Sequence, residues 1–394
     1  MHDNYGMITL YSARFPLDGP DVGTTETPLR WKLNRTRRLP VAIRSLTTGG
    51  LTFVAALASA ACASTAPLPK PAAGTDVRVS ESQVRYVMSV LADDSLKGRM
   101  TGSPGSASAA AFIASQMREI GLVPEGDSGY FQRVPIALTP RSNGQMRLTL
   151  LSDFAALDTF PVSQRRPGVN VVGMIRGSDP ALSSQVVLVD AHYDHLGVGV
   201  PVKGDSIYNG ADDDASGTTA VVEIARSMAA GAPPRRSILF VATTGEEVGL
   251  LGTRWFIANP PVALRSIVSN LEIEMIGRPD SLAGGRGRAW LTGYERSTMG
   301  AMFTAAGLPI APDARPSQHF FERSDNIAFA RMGIPAHTLS SYNMHADYHR
   351  PSDELSRIDF GHMTGVIQAG VRAVRILADG PAPHWNAGGQ PAAQ

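Results

Sequence analysis

The chain contains a single cysteine, Cys62, among its 394 residues. One cysteine excludes a disulfide within the chain and any cluster of thiolates around a metal ion. A metal site in this protein must therefore be built from histidine and carboxylate side chains.

An excess of charge of either sign is also lacking, because 36 lysines and arginines balance 35 aspartates and glutamates. Proteins that bind nucleic acid need a basic surface to neutralise its phosphates, and a net charge of +1 does not provide one. We therefore expect no nucleic-acid partner. The hydrophobic fraction of 43% is large enough for a sizeable core.

The apolar run at residues 51–61 is too short to anchor the chain across a bilayer, which takes about 20 residues. Arginines precede it at positions 35, 37, 38 and 44, and an Ala-Ser-Ala site lies near its end, at residues 58–60. This pattern predicts an export signal over residues 35–62. Residues 1–34 form an N-terminal extension before that signal, and we interpret them as the result of a start codon assigned too far upstream.

Cys62 follows Ser59, Ala60 and Ala61, in a pattern that resembles a bacterial lipoprotein box with serine in place of the usual leucine. Lipidation of Cys62 and simple cleavage both remain open. We expect an exported protein, in the periplasm, anchored to the membrane as a lipoprotein, or secreted. A lipid on Cys62 is the only membrane attachment that we expect.

Strand and helix patterns alternate along the rest of the chain. Apolar, β-branched runs predict strands at residues 146–151, 169–175, 186–190, 237–242, 267–273 and 334–339. Helical patterns fall at residues 80–91, 106–120, 216–229, 250–258, 295–306, 326–331 and 360–377. We therefore predict an α/β fold with three layers, in which helices cover a mixed, largely parallel central sheet. The predicted domain spans residues 79–382, after a linker at 63–78 and before a disordered tail at 383–394.

The stretch 186–217 changes abruptly from apolar to polar. His192 and Asp194 follow its strand and lie two residues apart, so a carboxylate can orient an imidazole on the same side of an extended backbone. Three adjacent acids, Asp212, Asp213 and Asp214, then precede a helix. Their mutual repulsion favours a bound divalent metal, whereas a solvated acidic helix N-terminus is the alternative. This segment alone leaves both interpretations open.

Polar side chains recur after four predicted strands. Sites in open α/β sheets gather beyond the carboxyl ends of the strands, so we expect these side chains to lie close together. Their three histidines and several carboxylates supply a ligand set that suits zinc. The residues are His192, Asp194, Asp212, Glu246, Glu247, Glu272, Glu274, His345, Asp347 and His349.

The order of motifs resembles the co-catalytic di-zinc aminopeptidase family, metallopeptidase family twenty-eight. Its relatives include bacterial leucyl aminopeptidases, glutamate carboxypeptidases and glutaminyl cyclases. The motifs read HYD, GADDDASG, TTGEEVGLLG, NLEIEMIG and DYHRPSD, with LKGRMTGSPG near the start and RSDNIAFARMGIPA before the last histidine. The resemblance covers most of residues 79–377 and implies a fold of the zinc-peptidase (phosphorylase/hydrolase-like) type.

The resemblance also implies a role for each matching residue. His192 binds one zinc, Glu247 and His349 bind a second zinc, and Asp212 bridges the two ions. Asp194 orients His192 without touching the metal. Asp213 follows Asp212 through a cis peptide bond, Glu246 is the general base, and Tyr348 helps to hold the oxyanion.

Glu274 departs from the family pattern, in which aspartate usually stands at this position. The resemblance assigns Glu274 to the zinc that His192 binds. Glu272, two residues earlier on the same face of the strand, is the alternative ligand. We expect His195 to pack or form local hydrogen bonds beside the site.

Together with the export signal, the resemblance implies an exported exopeptidase with two zinc ions, most simply an aminopeptidase acting on peptides with a free N-terminus. A glutamate-type carboxypeptidase remains an alternative, because Arg278, Arg315, Arg323 and Arg350 could bind a terminal carboxylate. A glutaminyl cyclase, or a non-catalytic binding domain on the same fold, are further alternatives. The presence of Glu246 argues against a purely binding domain.

Overall fold

The computed structural model describes residues 77–393. The predicted export signal, Cys62 and nearly all of the predicted linker lie outside these residues. Within them, no helix combines the length and the apolar character that crossing a membrane requires.

A nine-stranded sheet forms the centre of the described structure, in the order β1-β5-β9-β6-β10-β13-β11-β12, with β2 also paired to β5. Two small hairpins, β3-β4 and β7-β8, lie outside it. The strands are β1 (Val123–Pro124), β2 (Phe131–Val134), β3 (Ile136–Pro140), β4 (Met146–Leu150), β5 (Gly168–Ile175), β6 (Val186–His192), β7 (Gly197–Val202), β8 (Asp205–Tyr208), β9 (Ser237–Thr243), β10 (Ile267–Ile273), β11 (Ala289–Leu291), β12 (Ile310–Pro312) and β13 (Ala336–Ser340).

The helices cover both faces of this sheet. They are α1 (Glu81–Leu91), α2 (Pro104–Ile120), α3 (Phe154–Asp158), α4 (Gly217–Ala230), α5 (Leu251–Ala258), α6 (Thr298–Ala305), α7 (Asn326–Arg331) and α8 (Phe360–Asp379). Apolar residues of α1, α2, α4 and α8 share one core with the sheet. Residues of α5 and α7 pack in a second core that includes the other side chains of β6 and β9. The prediction of an α/β fold with helices around a mixed sheet is confirmed.

The four central strands, β9, β6, β10 and β13, run parallel, and antiparallel pairs lie toward both edges. Every residue of β6 and β9 is buried, which explains why their sequences are continuous apolar runs rather than alternating patterns. Parallel strands place all their carboxyl ends at one edge of the sheet. The polar residues that follow β6, β9, β10 and β13 therefore meet there.

One detail differs from the sequence prediction. The strand predicted at 146–151 is β4, which pairs with β3 outside the central sheet. In the segment predicted as a disordered tail, Trp385 donates a hydrogen bond to the Gly333 carbonyl at 2.9 Å and packs against Phe321. Disorder of residues 383–394 stays a prediction.

Arg99 fixes the backbone beside the carboxyl edge of the sheet. This side chain is buried and donates to four carbonyls, those of Leu91 (2.5 Å), Asn209 (2.6 Å), Tyr193 (2.7 Å) and Gly210 (2.9 Å). Burial lowers the pKa of Arg99 to about 10, although nearby aspartates oppose this effect, so the guanidinium stays charged at neutral pH. Arg99 therefore joins the segment after β6 to the turn that carries the three aspartates.

We expect Arg99→Met to lower the free energy of unfolding by about 3 kcal/mol, because it leaves several buried carbonyls without a donor. Urea denaturation of the metal-free protein measures this change. Arg85→Met is the matched control, since Arg85 pairs with Glu81 on the surface and is 55% exposed; its loss should stay within about 0.5 kcal/mol. Equal unfolding midpoints for the two variants would contradict this role of Arg99.

Candidate metal centre

Residues from four chain segments converge at the carboxyl edge of the sheet. His192 ends β6, Glu246 and Glu247 follow β9, and Glu274 follows β10. His349 lies in the segment after β13. Hydrogen bonding of the strands fixes the first three segments relative to one another, so these side chains start from a rigid frame.

Two groups of potential ligands form there. The first consists of His192, Asp213 and Glu274, whose donor atoms all lie within 4.8 Å of one another. His192 Nε2 is 3.3 Å from Asp213 Oδ1. These distances suit three ligands around one ion.

The second group uses the other oxygen of the same aspartate. His349 Nε2 lies 3.1 Å from Asp213 Oδ2 and 3.2 Å from Glu247 Oε2. His195, Asp213 and Glu247 also have donor atoms within 4.8 Å of one another. Asp213 thus belongs to both groups and presents one oxygen to each.

The expected role of Asp212 is corrected by this geometry, because Asp213 holds the shared position. The acids lie in a π-type turn, Ala211–Ser216, in which Asp213 (φ −106°, ψ 97°) and Asp214 (φ −128°, ψ 47°) are not helical. Neighbouring side chains therefore point in different directions. The cis peptide bond also lies one residue later than predicted, between Asp213 and Asp214.

Asp212 and Asp214 accept hydrogen bonds from the surrounding backbone. Asp212 Oδ1 accepts from the Gly277 amide at 2.7 Å, and its Oδ2 lies 2.9 Å from His345 Nε2. Asp214 Oδ1 accepts from the amides of Gly217 (2.8 Å) and Met275 (3.1 Å). Each aspartate of the triplet therefore has a distinct set of contacts.

Two further carboxylates hold the ligand-bearing segments. Asp194 accepts from Thr101 Oγ1 at 2.8 Å and from the Glu246 amide at 3.2 Å. Its carboxylate is 3.8 Å from His192 Nδ1, whereas its own backbone carbonyl is only 3.1 Å from that nitrogen. The carbonyl of Asp194 is therefore the closer group for orienting His192, although the carboxylate was expected to do so.

Asp353 joins the segment of His349 to the aspartate turn. Its carboxylate accepts from the amides of Asp212 (3.0 and 3.1 Å) and Asp213 (3.0 Å), and it pairs with Arg278 at 3.1 Å. Asp353 therefore connects the segment that carries His349 to the turn that carries Asp213.

Glu274 and Glu272 differ sharply in their surroundings. The Glu272 carboxylate is fully buried and accepts from Ser324 Oγ, Thr338 Oγ1 (2.8 Å) and the amides of Asp325 and Asn326 (3.0 Å each). Glu274, in contrast, faces His192 and Asp213. The structure thus places Glu274 in the first group and leaves Glu272 outside it.

The charges of the centre are strongly perturbed. Burial raises the pKa of Glu274 to about 8, and the neighbouring Glu272 adds to this effect. Burial also raises the pKa of Glu246 well above its usual range. Burial lowers the pKa of His349, but Asp213 and Glu247 outweigh it and raise that pKa to about 10. These pKa shifts indicate a concentration of buried negative charge, which a bound cation would neutralise.

A separate observation also indicates that the residues of the two groups suit a zinc ion. Among residues 77–393, four buried ligand atoms of the two groups have no hydrogen-bond partner: His192 Nε2, His195 Nδ1, Asp213 Oδ2 and Glu247 Oε1. Buried polar atoms normally have partners, and these four belong to the residues of the two ligand groups. Imidazole and carboxylate together are a zinc ligand set.

A cavity opens beside the first group. Its wall includes Glu274, Trp290, Phe320, Tyr342 and Tyr348, and its empty volume of about 380 Å³ includes the open mouth. Tyr348 stacks on the ring of His349 with centroids 3.9 Å apart. The structure therefore brings Tyr348 to the centre, between the second group and this cavity.

Sequence reasoning did not foresee His195 among the ligand atoms, or the aromatic cavity. A signal for His195 was present, because it lies three residues after His192, beyond the end of the same strand. No signal marked the cavity, since its walls come from five separate segments of the chain.

The fold is of the α/β class, and its converging histidine and carboxylate atoms form a set that can hold a metal ion. A sequence profile of peptidase family M28 matches residues 170–373, just over half of the chain. The chain belongs to peptidase family M28. Family membership supports a metallopeptidase, with zinc as its metal.

Individual relatives agree with this assignment. Leupeptin-inactivating enzyme 1 of Streptomyces exfoliatus is 27% identical over 205 residues, which cover 51% of this chain and 41% of that protein. A probable zinc metalloprotease of Pyrenophora teres f. teres is 29% identical over 246 residues, covering 59% of this chain and 46% of the relative. The chain thus spans less than half the length of these curated relatives.

Solved structures share the fold. The aminopeptidase from Aneurinibacillus sp. strain AM-1 aligns with a TM-score of 0.56 at 14% identity, covering 77% of this chain and 95% of that one. A zinc aminopeptidase from Bacillus subtilis, BSAP, aligns with a TM-score of 0.54 at 16% identity, covering 77% of this chain and 96% of that one. Porphyromonas gingivalis glutaminyl cyclase aligns with a TM-score of 0.53 at 18% identity, covering 76% of this chain and 98% of that one. At these identities the likeness concerns the fold alone.

The shared position of Asp213 can be tested against its neighbour. We expect Asp213→Asn to remove most bound zinc, because it weakens both groups at once. Asp212→Asn should keep the zinc while lowering stability by about 1 to 3 kcal/mol through its lost hydrogen bonds. Elemental analysis after dialysis and urea unfolding measure the two effects. The reverse pattern would restore Asp212 to the bridging role.

A second matched pair of variants compares Glu272, which lies in β10, with Glu274, which follows that strand. Glu274→Gln should weaken zinc binding at one position by at least about tenfold, since one carboxylate ligand is lost. Glu272→Gln should leave zinc binding unchanged, because hydrogen-bond donors satisfy that carboxylate. Glu274→Asp should retain measurable peptidase activity. Zinc loss confined to the Glu272 variant, measured by calorimetric titration, would reverse the assignment.

Proposed function

We propose that this protein is an exported aminopeptidase that uses two zinc ions to hydrolyse the first peptide bond of substrates with a free N-terminus. The observation that carries the proposal is the position of Asp213, which offers one oxygen to each of two ligand groups, with Glu246 beside them. A single metal would need only one of these groups. Sequencing the mature N-terminus of the protein made from its own gene would test the export part.

His192, Asp213 and Glu274 would hold one ion, and Asp213, Glu247 and His349 the other. When bound, zinc acts as a Lewis acid toward a carbonyl oxygen and lowers the pKa of water. The protein's own contribution is to fix the ligands on strand ends and to exclude bulk water from the space between them.

Glu246 is the residue that we assign to proton transfer. Its side chain is 12% exposed, and its Oε2 lies 4.0 Å from His192 Nε2, at the edge of the first group rather than within it. A carboxylate at this position can take a proton from water as that water attacks the carbonyl carbon. It can then deliver the proton to the nitrogen of the leaving amine.

The cavity beside Glu274 would receive the side chain of the N-terminal residue. Trp290, Phe320, Tyr342 and Tyr348 give it an aromatic wall, which favours an apolar or aromatic group. The carboxylates of the centre, including Glu274, give the free α-amine of a substrate a negatively charged partner. Tyr348 lies where its hydroxyl could stabilise an oxyanion.

Two of the four arginines considered for a carboxypeptidase are occupied by ion pairs, whereas Arg323 lines the cavity and lies over the Phe320 ring. Arg278 pairs with Asp347 at 2.7 Å and with Asp353 at 3.1 Å, and Arg315 pairs with Asp280 at 2.6 Å. Both guanidinium groups are therefore committed to buried or half-buried ion pairs. A substrate's terminal carboxylate would have to compete with these partners.

A substrate panel tests this proposal. We expect the zinc-loaded protein to release the first residue of peptides with a free amine, with a preference for large apolar residues. N-acetylated peptides should react at least about 10²-fold more slowly, because the charged amine is missing. Preferential release of C-terminal residues would favour a carboxypeptidase, and cyclisation of N-terminal glutamine a glutaminyl cyclase.

In the same assay, Glu246→Gln should lower kcat by at least about 10²-fold while both zinc ions remain bound, because only the proton carrier is lost. Glu247→Gln is the matched neighbour and should lose zinc as well as activity. Activity of the Glu246 variant within about threefold of the original would place the base elsewhere.

A further inference from the structure

His195 has an unusual environment for a buried histidine. Its side chain is 0% exposed, and neither ring nitrogen makes a well-oriented hydrogen bond within the described part of the chain, although Nδ1 lies 2.7 Å from Glu247 Oε1. A neutral imidazole carries one donor and one acceptor, so leaving them without well-oriented partners away from water is costly. A metal ion beside Glu247 would give Nδ1 such a partner.

The free Nδ1 atom of His195 points at the second ligand group. It lies 2.7 Å from Glu247 Oε1 and 3.9 Å from Asp213 Oδ2. The ring centroid of His195 is 5.7 Å from that of His349, and the two planes cross at 71°. The ring nitrogens of both histidines therefore face the same two carboxylates.

These spacings match a tetrahedron around zinc. Ligands about 2.0 to 2.1 Å from a tetrahedral ion lie roughly 3.3 Å from one another. His195 Nδ1 lies 2.7 Å from Glu247 Oε1 and 3.9 Å from Asp213 Oδ2, and His349 Nε2 lies 3.2 Å from Glu247 Oε2 and 3.1 Å from Asp213 Oδ2. Glu247 therefore faces each histidine with a different oxygen. One ion could contact all four residues if the ligand atoms shift by about 0.6 Å and Glu247 binds through one or both oxygens.

The imidazole is also prevented from turning away. Gly210 packs directly on its face, so that a Cβ at Gly210 would lie only 2.5 Å from His195 Cγ. The Gly210 carbonyl is itself held by Arg99 at 2.9 Å. The direction of Nδ1 is therefore fixed before any ion binds.

We propose that His195 Nδ1 is a ligand of the second metal position, which then has two histidines and two carboxylates. This inference rests on the proposed two-metal centre. The first position has one histidine and two carboxylates and keeps an open place for substrate, whereas four protein ligands close the second. The second position should accordingly bind zinc more tightly and prefer zinc over Mn²⁺, because nitrogen ligands favour zinc.

The alternative role of His195 is to donate a hydrogen bond to Glu247. One substitution distinguishes this role from that of a metal ligand. His195→Asn places an amide near the position of Nδ1, where it can still donate to Glu247 but is a poor zinc ligand. Calorimetric titration of the metal-free full chain with zinc should show the tighter of two equivalents weakened at least about tenfold. His345→Asn is the matched control and should bind zinc like the original protein.

The outcomes are distinct. Unchanged affinity for both zinc equivalents in His195→Asn would overturn the ligand assignment. Binding of a single zinc that depends on His195 would support the assignment while refuting the two-metal centre. Normal metal binding without any cleavage of the peptide panel would refute the proposed peptidase function alone.

A measurement on the unmodified protein covers the case in which the variant does not fold. X-ray absorption of the protein with two zinc ions counts imidazoles per metal. Three histidines shared by two ions give about 1.5 imidazoles per zinc, whereas His192 and His349 alone give about 1.0. A value near 1.0 would exclude His195 as a ligand.

Discussion

The concentration of carboxylates at one buried edge of the sheet is the constraint on which this structure depends. A buried negative charge is costly unless donors or cations surround it. The structure compensates these buried carboxylates in two different ways. Backbone amides and hydroxyls satisfy Glu272 and hold Asp214, whereas Asp213, Glu247 and Glu274 face histidines across a space with few hydrogen-bond donors. This division separates carboxylates that maintain the fold from those that can hold a metal ion.

The aspartate triplet shows how one short segment serves both purposes. Asp212 and Asp214 accept hydrogen bonds from Gly277 and Met275, in the segment just beyond β10, and Asp213 between them faces the histidines. The outer two therefore attach the turn to the sheet, which fixes the direction of the middle one. Arg99 supports the same turn from its other side through the Gly210 carbonyl. The metal-facing carboxylate is thus preorganised by neighbours that do not contact the metal.

The sequence predicted the parts of this site that regular structure determines. Periodicity located the central strands, and parallel strands bring their carboxyl ends together, so the meeting of His192, Glu247 and Glu274 followed. Prediction from the sequence failed where the backbone is irregular. Three identical aspartates in a π-type turn carry no pattern that tells which one points inward. The direction of His195 likewise depends on packing against Gly210, a contact that only the folded chain reveals.

The two ligand groups also differ in how firmly the fold holds them. His192 and Glu274 lie at the ends of adjacent, paired strands, so the first group is part of the rigid sheet. His349 comes from a loop that side-chain contacts attach to the rest of the site, among them Asp353 to the amides of the aspartate turn and Asp347 to Arg278. Loops open more readily than central strands. An ion held jointly by His349 and Asp213 would connect that loop to the sheet, so occupancy of the second position would also stabilise the wall formed by Tyr348. Metal binding and the shape of the cavity would then be coupled through this one loop.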